Sequence, residues 1–265
     1  MKNGVTNPWT PGILKALIAP MNVIPGLMAS CFGLFALAVS PMCWAASARP
    51  DVVPTNYRLL YEQRFNHPRA LKDFVQTDPQ AWQWSRESRG GAMELARQSG
   101  YKPPVRSPVN IALIEGKKFT DFVMEVDLLQ TGAEYGHRDM CVFFGFSDPK
   151  KFYYAHVATS ADDHAHNVFI VNEQPRTKIA RETTPGVKWG QGIWHKLRLE
   201  RRGSDGSIRL FFDDMTRPIM VASDTTFRSG YIGFGSFDDT GKVDNIRIWG
   251  PSVERKKSGF FANSK

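Results

Sequence analysis

Beyond Pro54 the chain alternates short apolar runs with Gly- and Pro-rich breaks, and no segment holds a 3.6-residue apolar stripe for three turns. The breaks fall at Gly90-Gly91, Lys102-Pro103-Pro104, Gly132 to Gly136, Asp148-Pro149, Pro185-Gly186, Gly190 to Gly192 and Gly203-Ser204-Asp205-Gly206. Between them lie runs of about five to ten residues that alternate with period two or are apolar throughout, as sandwich strands do. Tyr57 to Gln63 opens the series, and Pro68 to Lys72 is the one stretch where helical turns are expected. In Phe122 to Gln130, alternation sends Phe122, Met124, Val126 and Leu128 into a core and Val123, Glu125, Asp127 and Leu129 to the other face. Leu197 and Leu199 share a face opposite Lys196, Arg198 and Glu200, and pair across the Asp205-Gly206 turn with Ile208, Leu210 and Phe212. The last strand places Asp244, Ile246 and Ile248 on one face and Val243, Asn245, Arg247 and Trp249 on the other. No linker interrupts this stretch. About 200 residues of antiparallel strand without alternating helices predict a single all-β jelly-roll sandwich of two sheets.

The first acid in the 265-residue chain is Asp51, and only Lys2 and Lys15 carry charge before it. A nearly apolar run from Val23 to Val39 is followed by Pro41 and by the small residues Ala45-Ala46-Ser47-Ala48, the layout of an export signal cut after Ala48. Pro25, Gly26 and Ser30 shorten the strongly apolar part to about nine residues, against about 20 for a membrane span. The expected organisation is a signal peptide at 1–48, a linker at 49–56, the sandwich at 57–250 and a basic tail at 251–265. The expected location is secreted or periplasmic, with no stable membrane span after cleavage.

Cleavage removes two lysines from a chain whose formal charge is +8, leaving +6, and it removes Cys31 and Cys43. Cys141 is then alone, so neither an internal disulfide nor a cysteine zinc cage is available, and its apolar neighbours predict a buried, inert thiol. Basic residues are scattered apart from Arg201-Arg202 and Arg255-Lys256-Lys257, which excludes a nucleic-acid groove as the leading reading.

Specific stretches carry a resemblance. Gly230-Tyr231-Ile232-Gly233-Phe234, Asp238-Asp239 and the closing Val243-Asp244-Asn245-Ile246-Arg247-Ile248 resemble the end of concanavalin A-like lectin and glucanase jelly rolls. Phe119-Thr120-Asp121-Phe122 leading to Glu125, Phe152-Tyr153-Tyr154-Ala155-His156 and Trp194-His195-Lys196-Leu197 agree with it. Within that superfamily the chain looks most like the laminin-G-like and 3-keto-disaccharide hydrolase group of exported bacterial domains. The resemblance implies a concave sheet and carbohydrate as the usual partner.

Three polar groups offer chemistry. Glu125 and Asp127 stand two apart on one strand, about 7 Å at roughly 3.3 Å per residue, but Gln130 occupies the place where the glucanase pattern needs a second Glu. A Gln cannot relay a proton, so the familiar retaining mechanism is not supported. Denser is the set His156, His164, His166 and Asn167 with Asp162 and Asp163. If the stretch is extended, the imidazoles of His164 and His166 share a side, and the readings are a sugar edge, a transition metal held by Asp163, His164 and His166, or a plain polar hairpin with structural hydrogen bonds. Arg138, Asp139, Tyr154, Asn172 and Arg176 complete the expected ligand-binding set, with Arg138-Asp139 also readable as a surface ion pair. His156, His166 and Glu125 are the catalytic candidates. Asp238, Asp239 and Asp244 form a candidate calcium group, with the turn before Thr240-Gly241 the favoured role of Asp238 and Asp239. No cofactor is fixed by these residues; a divalent metal, calcium or a transition ion, is what such donor sets accept. Tyr135, Tyr153, Tyr154 and Trp189 are placed to stack on a pyranose. The leading expectation is an exported domain that binds a glycan. A glycoside hydrolase or lyase working through a histidine or metal-bound water is the alternative, and an adhesion scaffold the third.

Overall fold

A computed structural model of the chain describes residues 49–88 and 90–261, so the signal peptide expected at 1–48 lies outside the described residues. The strands are β1 (Arg58–Gln63), β2 (Phe74–Gln76), β3 (Trp82–Glu87), β4 (Gly90–Leu95), β5 (Asn110–Ile114), β6 (Lys117–Phe119), β7 (Phe122–Gln130), β8 (Asp139–Asp148) and β9 (Lys151–Ala158). They continue with β10 (Asn167–Asn172), β11 (Thr177–Lys178), β12 (Ala180–Thr183), β13 (His195–Arg201), β14 (Ser207–Phe212), β15 (Met220–Ser223), β16 (Tyr231–Ser236), β17 (Gly241–Gly250) and β18 (Val253–Arg255). Among the described residues helical structure is limited to 3-10 turns at Pro68–Asp73 and Pro79–Ala81, each with a side-chain cap, His67 and Asp78. None of these is long and apolar enough to cross a membrane.

The fold is an all-β jelly-roll sandwich of two antiparallel sheets. One sheet runs β12-β15-β14-β13-β7-β17-β4-β3, with β1 also on β17; the other runs β11-β10-β9-β8-β16-β5-β2. Alternation along β7 is as the sequence predicts: Phe122, Met124, Val126 and Leu128 enter the core between the sheets, and Glu125 turns away from it. The β13–β14 hairpin has the expected register, Leu197 opposite Phe212 and Leu199 opposite Leu210.

The second sheet is apolar on both faces. Its inner face sends Val142, Phe144, Tyr153, Ala155 and Phe234 into the main core. Its outer face carries a separate cluster of Cys141, Phe143, Phe146, Phe152, Tyr154, Phe169 and Tyr231. This explains why β8 reads as an unbroken apolar run, since a strand covered on both sides has no polar face to alternate with. The cover comes from the β4–β5 connection through Val105 and from the C-terminal segment through Phe260 and Phe261. That segment is held by β18 pairing with β6 and by Ser258, whose backbone N–H and hydroxyl donate to the Glu115 carboxylate. Residues 253–261 are therefore part of the packed body.

In β17 the simple alternation fails. A bulge between Asp244 and Arg247, with Asn245 at φ 50°, shifts the phase by one residue, so Val243 joins Ile246 and Ile248 in the core instead of facing out with Arg247. Asp244 is consequently on the outer side, opposite Asp127 of β7.

At the centre of the second sheet, β16 approaches β5 so closely that a Cβ on Gly235 would stand 1.8 Å from the Asn110 carbonyl oxygen. Gly235→Ala is expected to cost about 1–3 kcal/mol by forcing these strands apart, seen as a fall of several degrees in Tm; an unchanged Tm would show that the strands yield freely.

Candidate functional site

The site grows from one end of the second sheet, where β8, β10 and β5 begin and β9 and β16 end. Asp139, the first residue of β8, is fully buried. Its Oδ1 accepts the Ser236 hydroxyl at 2.7 Å, and its Oδ2 accepts the Phe237 backbone N–H at 3.1 Å and the Cys141 thiol at 3.1 Å. His156 Nε2 also lies 3.1 Å from Oδ2, without forming a ring N–H hydrogen bond to it. Burial pushes the Asp139 carboxyl up, but the adjacent imidazole and the Cys141 and Ser236 donors outweigh it and hold it below the usual carboxylate range. Burial, with the Asp139 charge, pushes the Cys141 thiol well above its ordinary value. This thiol is buried and protonated, as its apolar context predicts.

Asp139 and His156 anchor the floor of a pocket of about 140 Å³ lined by Arg106, Tyr135, His137, His156, His164, Arg176, Phe237 and Asp238. His156 reaches it from β9, and its Nδ1 is 3.1 Å from the His164 carbonyl oxygen; an acceptor-only partner places a proton on Nδ1. Tyr135 and His137 come from the β7–β8 connection, His164 from β9–β10, Arg176 from β10–β11 and Arg106 from β4–β5. Arg176 folds over the sheet face, its guanidinium 4.2 Å from the Phe237 ring centroid and 5.0 Å from that of Phe169. One of its N–H groups donates to the Tyr154 hydroxyl at 3.1 Å.

The Tyr135 hydroxyl donates to Asp239 Oδ2 at 2.8 Å, and the Asp139 backbone N–H donates to the same oxygen at 3.0 Å. Burial, with the charges of Asp139 and Asp238, pushes the Asp239 carboxyl up to about 6 despite these donors. Two groups of ligand atoms lie within 4.8 Å of one another, Asp139–Cys141–His156 and Asp139–Asp238–Asp239; the first suits a borderline-soft ion and the second a hard one.

The residues singled out in the sequence divide. His156, His164 and Arg176 meet in the pocket, with Tyr154 and Asp139 beneath them. His166 does not join them. It sits at φ 49°, so the stretch is not extended there; its buried Nδ1 accepts the Ala158 N–H and its Nε2 meets the Thr184 hydroxyl at 2.9 Å. Burial pushes His166 down to about 4, so it is neutral at neutral pH. Asp163 is exposed and paired with Lys178, and Asp163, His164 and His166 form no common ligand cluster among the described residues.

Arg138 and Asp139 are not a surface ion pair. Arg138 is wholly buried and donates to Gln130 Oε1 at 2.6 Å, the Gln130 carbonyl at 3.0 Å, the Gly190 carbonyl at 2.9 Å and Glu134. Asn167 Oδ1 accepts the Ala180 N–H at 3.1 Å and ties β10 to β12; Asn172 is exposed at the far end of β10. Among the stacking candidates Tyr153 and Trp189 lie in the core, Tyr154 is buried under Arg176, and only Tyr135 lines the pocket. Arg106, His137 and Phe237 were not singled out, because loops far apart in sequence bring them together.

Glu125 belongs to the other sheet and to another environment. Its Oε1 accepts Arg198 Nη2 at 2.8 Å and Nε at 3.1 Å, while Oε2 accepts Arg247 Nη2 at 3.1 Å, all buried. Asp127 pairs with Lys196 and Asn245. Asp244 faces Asp127 and is outside the Asp238–Asp239 group; burial, with the charges of Asp127 and Glu87, pushes its carboxyl up to about 7 against the Asn245 N–H.

No family model matches the sequence, and no curated protein is significantly similar to it. Several solved structures are similar in fold. The carbohydrate-binding module CBM66 from Bacillus subtilis is 19% identical, with 67% of this chain and 96% of that one covered at a TM-score of 0.47. A protein of unknown function with a galectin-like fold from Bacillus subtilis is 13% identical, covering 76% and 100% at 0.48. Peanut lectin is 13% identical, covering 74% and 99% at 0.46.

Two substitutions test these assignments. Glu125→Gln should destabilise the fold by about 3–5 kcal/mol, because two buried guanidiniums lose their counter-charge, and leave ligand binding by the folded protein unchanged; lost binding at full stability would make Glu125 a site residue. Asp244 has a folded value above its ordinary 3.8, so its ionisation penalises the fold increasingly as pH rises through that window. Asp244→Asn should therefore raise Tm at pH 8 by several degrees, with the gain vanishing toward about pH 4; an equal gain at both would remove ionisation as its source.

Proposed function

We propose that this chain is an exported carbohydrate-recognition domain that binds a glycan end at the pocket between His156, His164, Arg176 and Phe237. The observation that carries the reading is the convergence, on one rigid sheet end, of hydroxyl-binding donors and an acceptor around an aromatic ring. Arg106, Arg176, His137 and His164 supply N–H groups, Asp238 supplies oxygens, and Phe237 and Tyr135 supply apolar faces. The pocket is smaller than the clefts of about 300 Å³ or more that enclose drug-sized ligands. It therefore fits one terminal sugar with its substituent rather than several rings. The export part of the reading rests on residues 1–48 alone.

A second reading, a glycoside hydrolase or lyase, is favoured by Asp239. A carboxyl raised to about 6 beside a buried carboxylate and a tyrosine hydroxyl has the proton affinity that acid–base chemistry near neutral pH needs.

Glycan-array retention followed by calorimetry on the strongest ligand tests both. Phe237→Ala and His164→Ala should each weaken binding by about tenfold or more, the range for removing an anchoring contact, whereas Asn172→Ala should leave it unchanged. Retention unaffected by the pocket variants, or absent across the array, would remove the proposal. Product release from the bound glycan that disappears in Asp239→Asn would establish the enzyme; binding without turnover would leave recognition alone.

A further inference from the structure

The pocket holds more positive charge than neutral sugars require. Arg176 is half-buried, yet its partners are two aromatic faces and one tyrosine hydroxyl, and no carboxylate among the described residues pairs with it. A guanidinium carries five in-plane N–H donors. Tyr154 takes one donor and the other contacts are to the Phe169 and Phe237 rings, so among the described residues no carboxylate or carbonyl meets the rest of the fork. Arg106 lines the same pocket, exposed and likewise without an ion pair, and its carbonyl oxygen accepts the Arg176 backbone N–H at 3.2 Å. Among the enclosed guanidiniums of the described residues, Arg198 and Arg247 share Glu125 and Arg138 meets Glu134, whereas Arg201 is held by the Asp224 and Phe227 carbonyls instead of a carboxylate.

The other charges around the pocket do not cancel this pair. His137 is matched by Asp162, and the buried Asp139 accepts from the Cys141 thiol, the Ser236 hydroxyl and the Phe237 N–H beside the His156 ring. Asp238 is the one acid in the lining, and Asp239 behind it accepts the Tyr135 hydroxyl and the Asp139 N–H. The lining therefore sets one acid against two guanidiniums that pair with no carboxylate among the described residues. A planar fork prepositioned by aromatic stacking is the arrangement that binds an oxyanion through paired, charge-assisted hydrogen bonds.

We infer that the ligand of this pocket is an acidic glycan, whose carboxylate or sulfate group docks on Arg176 and Arg106 while its hydroxyls meet Asp238 and His164. This rests on the glycan reading above and narrows it to a substrate class.

The test is calorimetry at about 0.15 M salt, where long-range attraction to a basic protein is screened beyond about 8 Å. Two matched pairs serve as probes: oligogalacturonate against its carboxyl-reduced form, and sulfated against unsulfated dextran oligosaccharide. The charged member of at least one pair should bind about tenfold tighter than its neutral counterpart, and the pair that shows the preference identifies the anion. Arg176→Gln should abolish that preference, and Arg176→Lys, which keeps the charge but loses the planar fork, should restore only part of it. Arg181→Gln removes an equal charge from an exposed strand and should change affinity by less than about twofold, as a screened surface charge does. Equal binding of charged and neutral members, weakened alike by Phe237→Ala, would overturn the acidic-glycan inference and leave glycan recognition standing. Equal losses in Arg176→Gln and Arg181→Gln would reduce the preference to net charge and overturn it as well. Absence of binding to these probes, with neutral glycans retained on the array, would overturn the inference alone; no retention of any glycan would overturn the parent reading.

Discussion

A carboxylate with no access to water must find its solvation within the protein, and Asp139 does so by recruiting four structural units at once. Its oxygens gather a hydroxyl from the end of β16, an N–H from the loop beyond it, a thiol from its own strand and an imidazole from β9. Leaving such a group unmatched would cost several kcal/mol, so each donor is held in place by the penalty for moving away. The same contacts fix Phe237 and His156 in the pocket lining, and the Asp139 N–H fixes Asp239. The geometry of the site follows from the solvation of one buried charge below it.

The two sheets do different jobs in this arrangement. The nine-stranded sheet turns a charged face outward, where Glu125 is locked between two arginines and Asp127 between Lys196 and Asn245. Those side chains are engaged with one another and offer little to a ligand. The seven-stranded sheet carries aromatic side chains on its outer face, and one of its ends lines the pocket. Close packing of the outer-face cluster beside the pocket favours recognition by preformed contacts.

How much of this could be read beforehand depended on the range of the interactions involved. Strand faces in β7 and the β13–β14 hairpin follow from neighbours in sequence, and they were legible. The phase slip in β17 was not, because a bulge at Asn245 leaves no mark in a pattern of alternating residue types. His164 and His166 illustrate the same limit: two residues apart, they would share a side only on an extended chain, and the turn at His166 sends that ring toward Thr184. Tyr153 and Tyr154, adjacent in sequence, face opposite sides of their sheet, so their aromatic character alone could not separate core from site. Arg176 was visible as a charged residue beyond a strand end; its lack of a counter-ion was not, since that depends on every loop packed around it. Arg106 and Phe237 lay about 130 residues apart in the chain and only closure of the sandwich joins them.

The pairing of β1 with β17 sets a condition on how the molecule can be made. Arg58 meets Gly250, so the first strand of the larger sheet has no partner until β17, about 190 residues further along, has been made. A chain emerging N-terminus first must keep that edge unpaired throughout, and Phe260 and Phe261 arrive later still to cover the aromatic face of the other sheet. Closure is therefore a terminal event, with sticky ribbon exposed in the interval. Synthesis order thus postpones assembly of the larger sheet until its closing strand is available.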